Sequence, residues 1–193
     1  MSDYHLRAPF DEATMRQLQL EDRVYLDGTL FGIRDATQHR IFDEGVAPPA
    51  DLTGAVCIHT APGVRKRPDG TFEKISIGTT TSPRMDRFVP GLLNQYGVRA
   101  IVGKGGLLQP SVEAMQRFGA VYLAIVGGAA ALETLQIEEI EQVWWEDLMP
   151  ECLWKFRVRD FGPLIVAIDA HGNSLYQKIQ DQAAANIKAL GYD

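Results

Sequence analysis

The chain has 193 residues, of which 46% are hydrophobic and 23% are charged. That balance is typical of a folded globular protein and excludes disordered, collagen-like and coiled-coil chains. Acidic residues outnumber basic ones by 25 to 19, which gives a net charge of −6. Proteins that bind nucleic acid usually carry a basic surplus, so this charge argues against a nucleic-acid partner.

Length and hydrophobic runs set the expected organisation and location. We predict one domain over residues 1–193, with an N-terminal arm at 1–20 and a helical tail at 178–193. Residues 1–10 lack the apolar core of a signal peptide. No run of about 18 apolar residues is present to span a bilayer. We therefore expect a soluble, cytoplasmic protein without a membrane partner.

Hydrophobic periodicity predicts strands and helices that alternate along the chain. In the first half, strands are predicted at Val24–Ile33, Ala55–Thr60 and Ile75–Thr81, with a turn at Asp69-Gly70 between the last two. Helices are predicted at Asp35–Glu44 and Pro83–Tyr96. The second helix is interrupted by Pro90 and ends at Gly97. The second half has a strand at Ala100–Val102, a helix at Pro110–Phe118, strands at Ala120–Val126, Gln142–Trp145, Trp154–Val158, Leu164–Asp169 and Ser174–Lys178, and a helix at Lys178–Leu190. This order predicts an α/β domain with a mixed sheet flanked by helices.

The metal-binding residue types are sparse and scattered. Cys57 and Cys152 lie far apart in the sequence, with no C-x-x-C pattern. They cannot by themselves supply the four ligands of a zinc or iron–sulfur site. His5, His39 and His59 lack the spacing of metal ligands. We therefore predict no metal site within this chain.

Polar residues follow several of the predicted strands. Arg34 and Asp35 follow one strand, Thr79–Ser82 with Arg84 follow another, and Lys104 lies between glycines after a third. Loops at the carboxyl ends of strands are where α/β domains place their binding sites. These segments are therefore the candidates for a functional site.

The candidate residues share a chemistry suited to anions. Arg34, Arg84 and Lys104 are cations, while Thr80 and Thr81 offer hydroxyl groups. Arginine can hold a carboxylate through two parallel hydrogen bonds, and a helix N-terminus offers free backbone N–H groups. The set therefore indicates a site for an anion with two acidic ends, such as a dicarboxylate.

Each of these signals also has a structural interpretation. The Thr79–Ser82 run could be no more than a helix N-cap, and the arginines could form surface ion pairs with Asp35 and Asp86. Lys104 in its glycine-rich loop resembles part of a phosphate-binding loop. The glycine spacing and the missing hydroxyl residue do not fit that motif. An unrelated phosphate-binding α/β domain is thus a further alternative.

Several longer motifs resemble a known family. In this order the chain carries GTLFGIRDATQHR, IGTTTSPRMDRFVPGLL, GVRAIVGKGGL, AVYLAIVGGAAAL and FGPLIVAIDAHGNSL. Together they resemble the β part of the iron–sulfur hydro-lyases, which include class I fumarases and the β subunit of L(+)-tartrate dehydratase. The resemblance covers about Leu20 to Gln177. The segments VRKRPDGTFEKISIG and IEEIEQVWWEDLMPECLWKFRVRDFGPLIV favour the tartrate dehydratase branch.

The resemblance implies a fold, a cofactor and a partner. The fold would be a swivelling β/β/α domain. In this family an α part supplies three cysteines to a 4Fe–4S cluster, and the β part closes over the cluster and binds the dicarboxylate. The present chain would then hold no metal itself and would assemble with a cysteine-bearing α subunit, as α2β2. The implied reaction is dehydration of a 2-hydroxy dicarboxylate, with L-tartrate giving oxaloacetate and the open iron of the cluster acting as a Lewis acid.

The resemblance also implies roles for single residues. Arg34 and Arg84 match arginines that bind the substrate carboxylates. Thr80 and Thr81 match a pair of threonines, of which Thr80 would take part in proton transfer. Lys104 matches the lysine of a G-K-G motif and would lie near the substrate and the reacting atoms.

The sequence departs from the family pattern at two places. The family commonly has R-D-x-x-H, whereas Gln38 occupies the histidine position here and His39 follows it. Thr79 stands where the family has a proline before the paired threonines. These departures leave alternatives open: the β subunit of a class I fumarase, a hydratase of a methylated dicarboxylate, or a diverged subunit that binds a dicarboxylate without catalysis.

Overall fold

The computed structural model describes residues 1–125 and 130–191. Its strands are β1 (Asp3–Arg7), β2 (Arg23–Ile33), β3 (Val56–His59), β4 (Gly63–Lys66), β5 (Phe72–Ser76), β6 (Ala100–Gly103), β7 (Val121–Ala124), β8 (Ile137–Trp144) and β9 (Leu153–Ile168). Its α-helices are α1 (Glu12–Met15), α2 (Asp35–Phe42), α3 (Val89–Tyr96), α4 (Gln109–Phe118), α5 (Ala130–Glu133) and α6 (Leu175–Ala189). Short 3₁₀ helices span Ser82–Phe88, Thr134–Gln136 and Glu146–Leu148.

The sheet combines parallel strands with one long antiparallel strand. β1, β2, β3, β6 and β7 are neighbours in this order and run parallel. β9 pairs antiparallel with both β7 and β2, so that β2, β3, β6, β7 and β9 form a closed ring. β8 lies antiparallel on β9, and β4 and β5 form a separate hairpin. The predicted mixed α/β architecture is confirmed.

The parallel register aligns the ends of three strands. Ile33 at the end of β2 lies opposite His59 at the end of β3. Ile58 in β3 lies opposite Val102 in β6. The loops after β2, β3 and β6 therefore leave the sheet on the same side, which we call the carboxyl edge.

Apolar side chains pack on both faces of the parallel strands. One buried cluster fills the ring and includes Leu30, Ile58, Val102, Trp154 and Phe156. A second cluster lies between the parallel strands and helices α3 and α4. Since alternate residues of a strand point to opposite faces, strands buried on both faces read as the continuous apolar runs seen in the sequence.

Local sequence signals account for most of the element boundaries. The Asp69-Gly70 turn joins β4 and β5, and Gly70 has the positive φ that such turns require. The predicted interruption near Pro90 appears as a change from 3₁₀ to α-helix at Val89. α3 ends at Gly97, which adopts a left-handed conformation with φ of 64°.

Other predicted boundaries were wrong or shifted. The segment Ser174–Lys178 is not a strand, because Ser174 caps the N-terminus of α6 through its hydroxyl. The strand predicted at Ile75–Thr81 lies earlier, as β5. The two strands predicted at Trp154–Val158 and Leu164–Asp169 form the single strand β9. Both halves pair with β2, and the register shifts between them.

The two chain ends behave differently. Within the predicted N-terminal arm, β1 pairs with β2, and Met15 and Leu18 are fully buried in the core. The C-terminal helix α6 has no buried residue. No helix in residues 1–125 and 130–191 is both long and apolar enough to cross a bilayer. Val126, the last residue of a predicted strand, and residues 127–129 of the GGAAAL segment lie outside the described residues.

The closed ring predicts where the fold is most sensitive to mutation. Phe156 is 1% exposed and stacks on Trp154 inside the ring. Phe156→Ala should lower the free energy of unfolding by about 3–5 kcal/mol, because it opens a cavity that rigid strands cannot fill. Ile75→Ala, at a 57% exposed hairpin position, should change it by less than about 0.5 kcal/mol. Urea denaturation of both variants measures this, and equal losses would contradict the ring as the main core.

Candidate active site

The carboxyl edge brings the candidate residues together. Arg34 directly follows β2, and Lys104 directly follows β6. The segment Thr79–Thr81 crosses between them, forming a bridge from Thr79 to Thr60 at the end of β3 and a bridge from Thr81 to Lys104. The three clusters predicted from the sequence therefore belong to one site.

One carboxylate oxygen lies between the two arginines. Asp35 Oδ2 is 3.4 Å from Arg34 Nε and 3.2 Å from Arg84 Nη2. Both guanidinium groups therefore converge on a single negative oxygen. The Arg84 side chain is 55% exposed, so it keeps donors free for another anion. The Arg34 side chain is only 24% exposed, and its pairing with Asp35 confirms the ion-pair interpretation of that arginine.

The alternative ion pair between Arg84 and Asp86 is wrong. Asp86 is buried, and its Oδ1 accepts hydrogen bonds from Leu108 N at 2.7 Å and from Ser111 Oγ at 2.6 Å. Asp86 therefore holds the start of α4, while Arg84 points to the carboxyl edge.

Glu151 is a site residue that the sequence analysis missed. Its Oε1 lies 3.4 Å from Arg34 Nε, and its Oε2 accepts a hydrogen bond from Ala36 N at 2.9 Å. The Thr37 hydroxyl donates to the Glu151 carbonyl oxygen. Glu151 thus caps α2 from a distant loop and restrains Arg34. No local pattern predicts this, because the partners are more than a hundred residues apart in the sequence.

The hydroxyl groups and the lysine are free to meet a ligand. Within the described part of the chain, the Thr80 and Thr81 hydroxyls and the Lys104 ammonium form no hydrogen bond or ion pair. Thr81 occupies the N-cap position of the 3₁₀ helix without a side-chain cap bond. The N-cap interpretation of this run therefore does not account for its hydroxyls. A cleft of about 600 Å³ between α4 and α6 is lined by none of these residues.

Gln38 and His39 point to different surroundings. Gln38 is fully buried, and its Nε2 donates to the Arg34 carbonyl oxygen at 3.4 Å. His39 is exposed and contacts Asp43 and Arg87 instead. Of the two residues, only Gln38 contacts Arg34 in the described structure. His39 belongs to a cluster of charged residues on the outer side of α2.

The residues of this chain do not fit an iron–sulfur cluster. Cys57 and Cys152 are both buried, and burial raises the thiol pKa to about 12 and about 11 respectively. Cluster ligation needs the thiolate form. Among residues 1–125 and 130–191, no group of three His, Cys, Asp or Glu side chains could hold a metal ion.

His59 and Glu133 are buried titratable groups with shifted pKa values. Burial lowers the pKa of His59 to about 4. Burial raises the pKa of Glu133 to about 7. His59 Nε2 and Glu133 Oε2 are both buried without a hydrogen-bond partner in the described structure. His59 is thus neutral at physiological pH, and its Nε2 has an unused bonding capacity.

The shifted pKa of His59 predicts a pH-dependent stability. Between about pH 4 and 6.5 the unfolded histidine binds a proton that the folded one does not, so stability rises with pH over this window. From pH 5 to 7, the wild-type chain should gain about 2 kcal/mol relative to His59→Gln. Glu133 acts with the opposite sign, because its raised pKa makes stability fall as pH rises towards 7. Urea titrations of wild type, His59→Gln and Glu133→Gln separate the two, and parallel pH profiles for wild type and His59→Gln would contradict the assignment.

Comparisons with known proteins find relatives along most of the chain. The family model described as Fumarase C-terminus matches residues 2–179. The chain is 42% identical over 171 residues to the L(+)-tartrate dehydratase subunit beta of Escherichia coli strain K12. That alignment covers 88% of this chain and 85% of the relative.

Two further relatives come from distant organisms. A Methanocaldococcus jannaschii protein, provisionally named L(+)-tartrate dehydratase subunit beta, is 34% identical over 91% of this chain and 92% of its own length. A Geobacillus stearothermophilus protein, provisionally named fumarate hydratase class I, is 36% identical over 91% of this chain but only 34% of its own length. The named relatives are thus hydro-lyases or their subunits, and the chain belongs to the Fumarase C-terminus family.

Proposed function

We propose that this chain is the β subunit of a hydro-lyase that dehydrates a 2-hydroxy dicarboxylate, converting L-tartrate to oxaloacetate. The observation that carries the proposal is the convergence of Arg34 and Arg84 on one carboxylate oxygen of Asp35. Lys104 and two free threonine hydroxyls share the same edge. The 42% identity to a tartrate dehydratase subunit supports tartrate as the substrate.

The edge residues divide into binding and reacting groups. Arg34 and Arg84 each hold one carboxylate of the substrate, which fixes the carbon chain between them. In the elimination a hydroxyl leaves one carbon and a proton leaves the next, so negative charge grows on the adjoining carboxylate. An arginine already in place stabilises that charge without reorganisation.

Thr80 is the proposed proton acceptor. A threonine hydroxyl is a weak base at its ordinary pKa, so a neighbouring cation has to favour its ionised form. The Lys104 ammonium is suited to this, since the bridge from Thr81 to Lys104 joins the two loops. Thr81 supplies a second hydroxyl that can orient the substrate. The proton that the ionised Thr80 takes from carbon then combines with the departing hydroxide as water, so Thr80 returns to its ionised form and tartrate becomes the enol of oxaloacetate.

The proposal includes a partner subunit. The relatives named subunit beta support assembly with an α subunit, and we propose that this subunit carries the 4Fe–4S cluster in a cytoplasmic α2β2 enzyme. The Geobacillus relative supports the same division, because two thirds of its chain lie outside the alignment. The ring of β2, β3, β6, β7 and β9 with helices on one side supports assignment to the swivelling β/β/α fold.

A second candidate function is the β part of a class I fumarase. It is favoured by the 36% identity to the Geobacillus protein, and both reactions need two carboxylates and a hydroxyl. A panel of L-tartrate, L-malate and methylated analogues separates these substrates. A diverged subunit without catalysis is favoured only by Gln38 at the histidine position, and it predicts ligand binding without turnover.

Arg84→Ala tests the carboxylate site in the assembled enzyme. Losing a charged, double hydrogen bond should lower kcat/KM at least about 100-fold, with iron content unchanged. Arg87→Ala is a matched control, because Arg87 is on the same 3₁₀ helix and equally exposed, but pairs with Asp43. The control should retain activity within about twofold. Near-normal turnover of Arg84→Ala would exclude the proposed site.

Anaerobic purification of the tagged chain from its native host tests the partnership. We expect a stoichiometric second chain bearing the cluster cysteines, with about four irons per pair as in a 4Fe–4S cluster. Mass spectrometry and iron analysis measure both. Recovery of the chain alone, free of iron, would contradict the two-subunit enzyme and favour the diverged binding subunit.

A further inference from the structure

We propose that Tyr122, Ser82 and His59 form a buried hydrogen-bond chain that positions the Thr80–Thr81 hydroxyls against Lys104. They would act as positioning residues, since none of their side chains is hydrogen bonded to Arg34, Arg84, Lys104 or the two threonine hydroxyls within the described structure. The catalytic meaning of the chain rests on the proposed function. Whether the three side chains hold the threonine segment in place can be tested without measuring enzyme activity.

The three side chains are linked in sequence. Tyr122 OH donates to Ser82 Oγ at 2.9 Å, and Ser82 Oγ lies 3.0 Å from His59 Nδ1. All three residues are fully buried. They come from β7, from the 3₁₀ helix after Thr81 and from the end of β3. The chain therefore ties two strands to the segment that carries the threonines.

The backbone on both sides of the threonines is anchored to the same elements. Thr80 N donates to the His59 carbonyl oxygen at 3.0 Å. Ser82 N donates to the Lys104 carbonyl oxygen at 2.8 Å. Thr80 and Thr81 thus lie between a backbone hydrogen bond to His59 and a backbone hydrogen bond to Lys104. A shift of Ser82 would move both hydroxyls relative to the Lys104 ammonium.

Gly103 packs closely against Ser82. A Cβ at Gly103 would overlap Ser82 Oγ and would lie 3.0 Å from Tyr122 OH. Gly106, with φ of 77°, lies against the ring of Tyr176, which in turn meets Tyr122 edge-on at 6.3 Å between centroids. The glycines around Lys104 therefore allow its loop to close onto the chain, and Tyr176 supports that loop from α6.

The protonation states fix the direction in which hydrogen bonds are donated from Tyr122 through Ser82 to His59. Burial lowers the pKa of His59 to about 4 and raises the pKa of Tyr122, so both are neutral. Ser82 has one hydroxyl hydrogen and already accepts from Tyr122. It can donate that hydrogen to His59 Nδ1, which places the imidazole proton on Nε2. A chain of neutral, fully buried hydrogen bonds holds its geometry strongly, because breaking one link strands a polar group away from water.

Among the described residues, no side-chain hydrogen bond links Tyr122, Ser82 or His59 to Arg34 or Arg84, although Ser82 begins the 3₁₀ helix that carries Arg84. Arg34 and Arg84 contact Asp35 and Glu151, neither of which is hydrogen bonded to Tyr122, Ser82 or His59. Loosening the chain should therefore disturb the reacting hydroxyls while leaving substrate binding intact. This predicts an effect on kcat with little effect on KM.

Ser82→Ala and Tyr122→Phe each break the hydrogen-bond chain and can be measured in the assembled enzyme. Each should lower kcat by about 10- to 100-fold with KM changed less than about twofold. The double variant should lose no more than the larger single loss, because both break one chain. Ser111→Ala is the control: Ser111 is also fully buried and bonds to Asp86, outside the chain. It should keep kcat within about twofold.

Amide hydrogen exchange on the isolated full chain gives the readout that does not depend on turnover. The Thr80 and Ser82 amides should exchange at least about tenfold faster in Tyr122→Phe than in Ser111→Ala. If the wild-type enzyme is inactive but amide exchange follows this pattern, the proposed function is wrong and the hydrogen-bond chain is still supported as a positioning device. An unchanged kcat in both Ser82→Ala and Tyr122→Phe would exclude the hydrogen-bond chain as a positioning device. So would amide exchange in Tyr122→Phe that equals the exchange in Ser111→Ala. Should Ser82→Ala fail to fold, Tyr122→Phe decides by the same criteria.

Discussion

The site depends on the parallel pairing of β2, β3 and β6. Parallel neighbours bring their carboxyl ends to one edge, and the pairing of Ile33 with His59 aligns the first two ends. A slip of one residue would turn every side chain of a strand to the other face and would separate Arg34 from the threonine segment. Apolar packing on both faces of these strands prevents such a slip. The position of the functional groups is thus a consequence of core packing.

Charge balance at the edge shapes what it can bind. Three cations close together repel each other, and Asp35 and Glu151 offset this repulsion from within the chain. Their contacts of 3.2–3.4 Å are longer than tight charge-assisted hydrogen bonds of about 2.7–2.9 Å. The arginines are therefore placed before a ligand arrives but keep donors for it. Three cations and two carboxylates leave one net positive charge at this edge, which favours an anion there.

Sequence reasoning located the cationic and hydroxyl groups but not the residues that hold them. Arg34 and Lys104 follow short apolar runs, and such runs predict strand ends directly. Glu151 and Tyr122 carry no local signal, because their roles arise from contacts between residues distant in the sequence. The same reason explains why two strands were predicted where β9 is one. β9 is continuous because it pairs with β2, and hydrophobic periodicity within one segment cannot show such a pairing. The strand prediction at Ser174–Lys178 was wrong because the five residues SLYQK also fit the start of a helix.

The edge as it stands is open on one side. Arg84 is more than half exposed, Thr81 is exposed, and the Lys104 ammonium has no partner in the described structure. Water on that side would screen the arginines and weaken any stabilisation of charge that develops in a reaction. Residues positioned this firmly gain their full effect only when another surface covers the edge. The exposure of this edge therefore agrees with the proposed β subunit that a partner completes, and the proposed hydrogen-bond chain behind Thr80 and Thr81 would keep this half of the site in place for it.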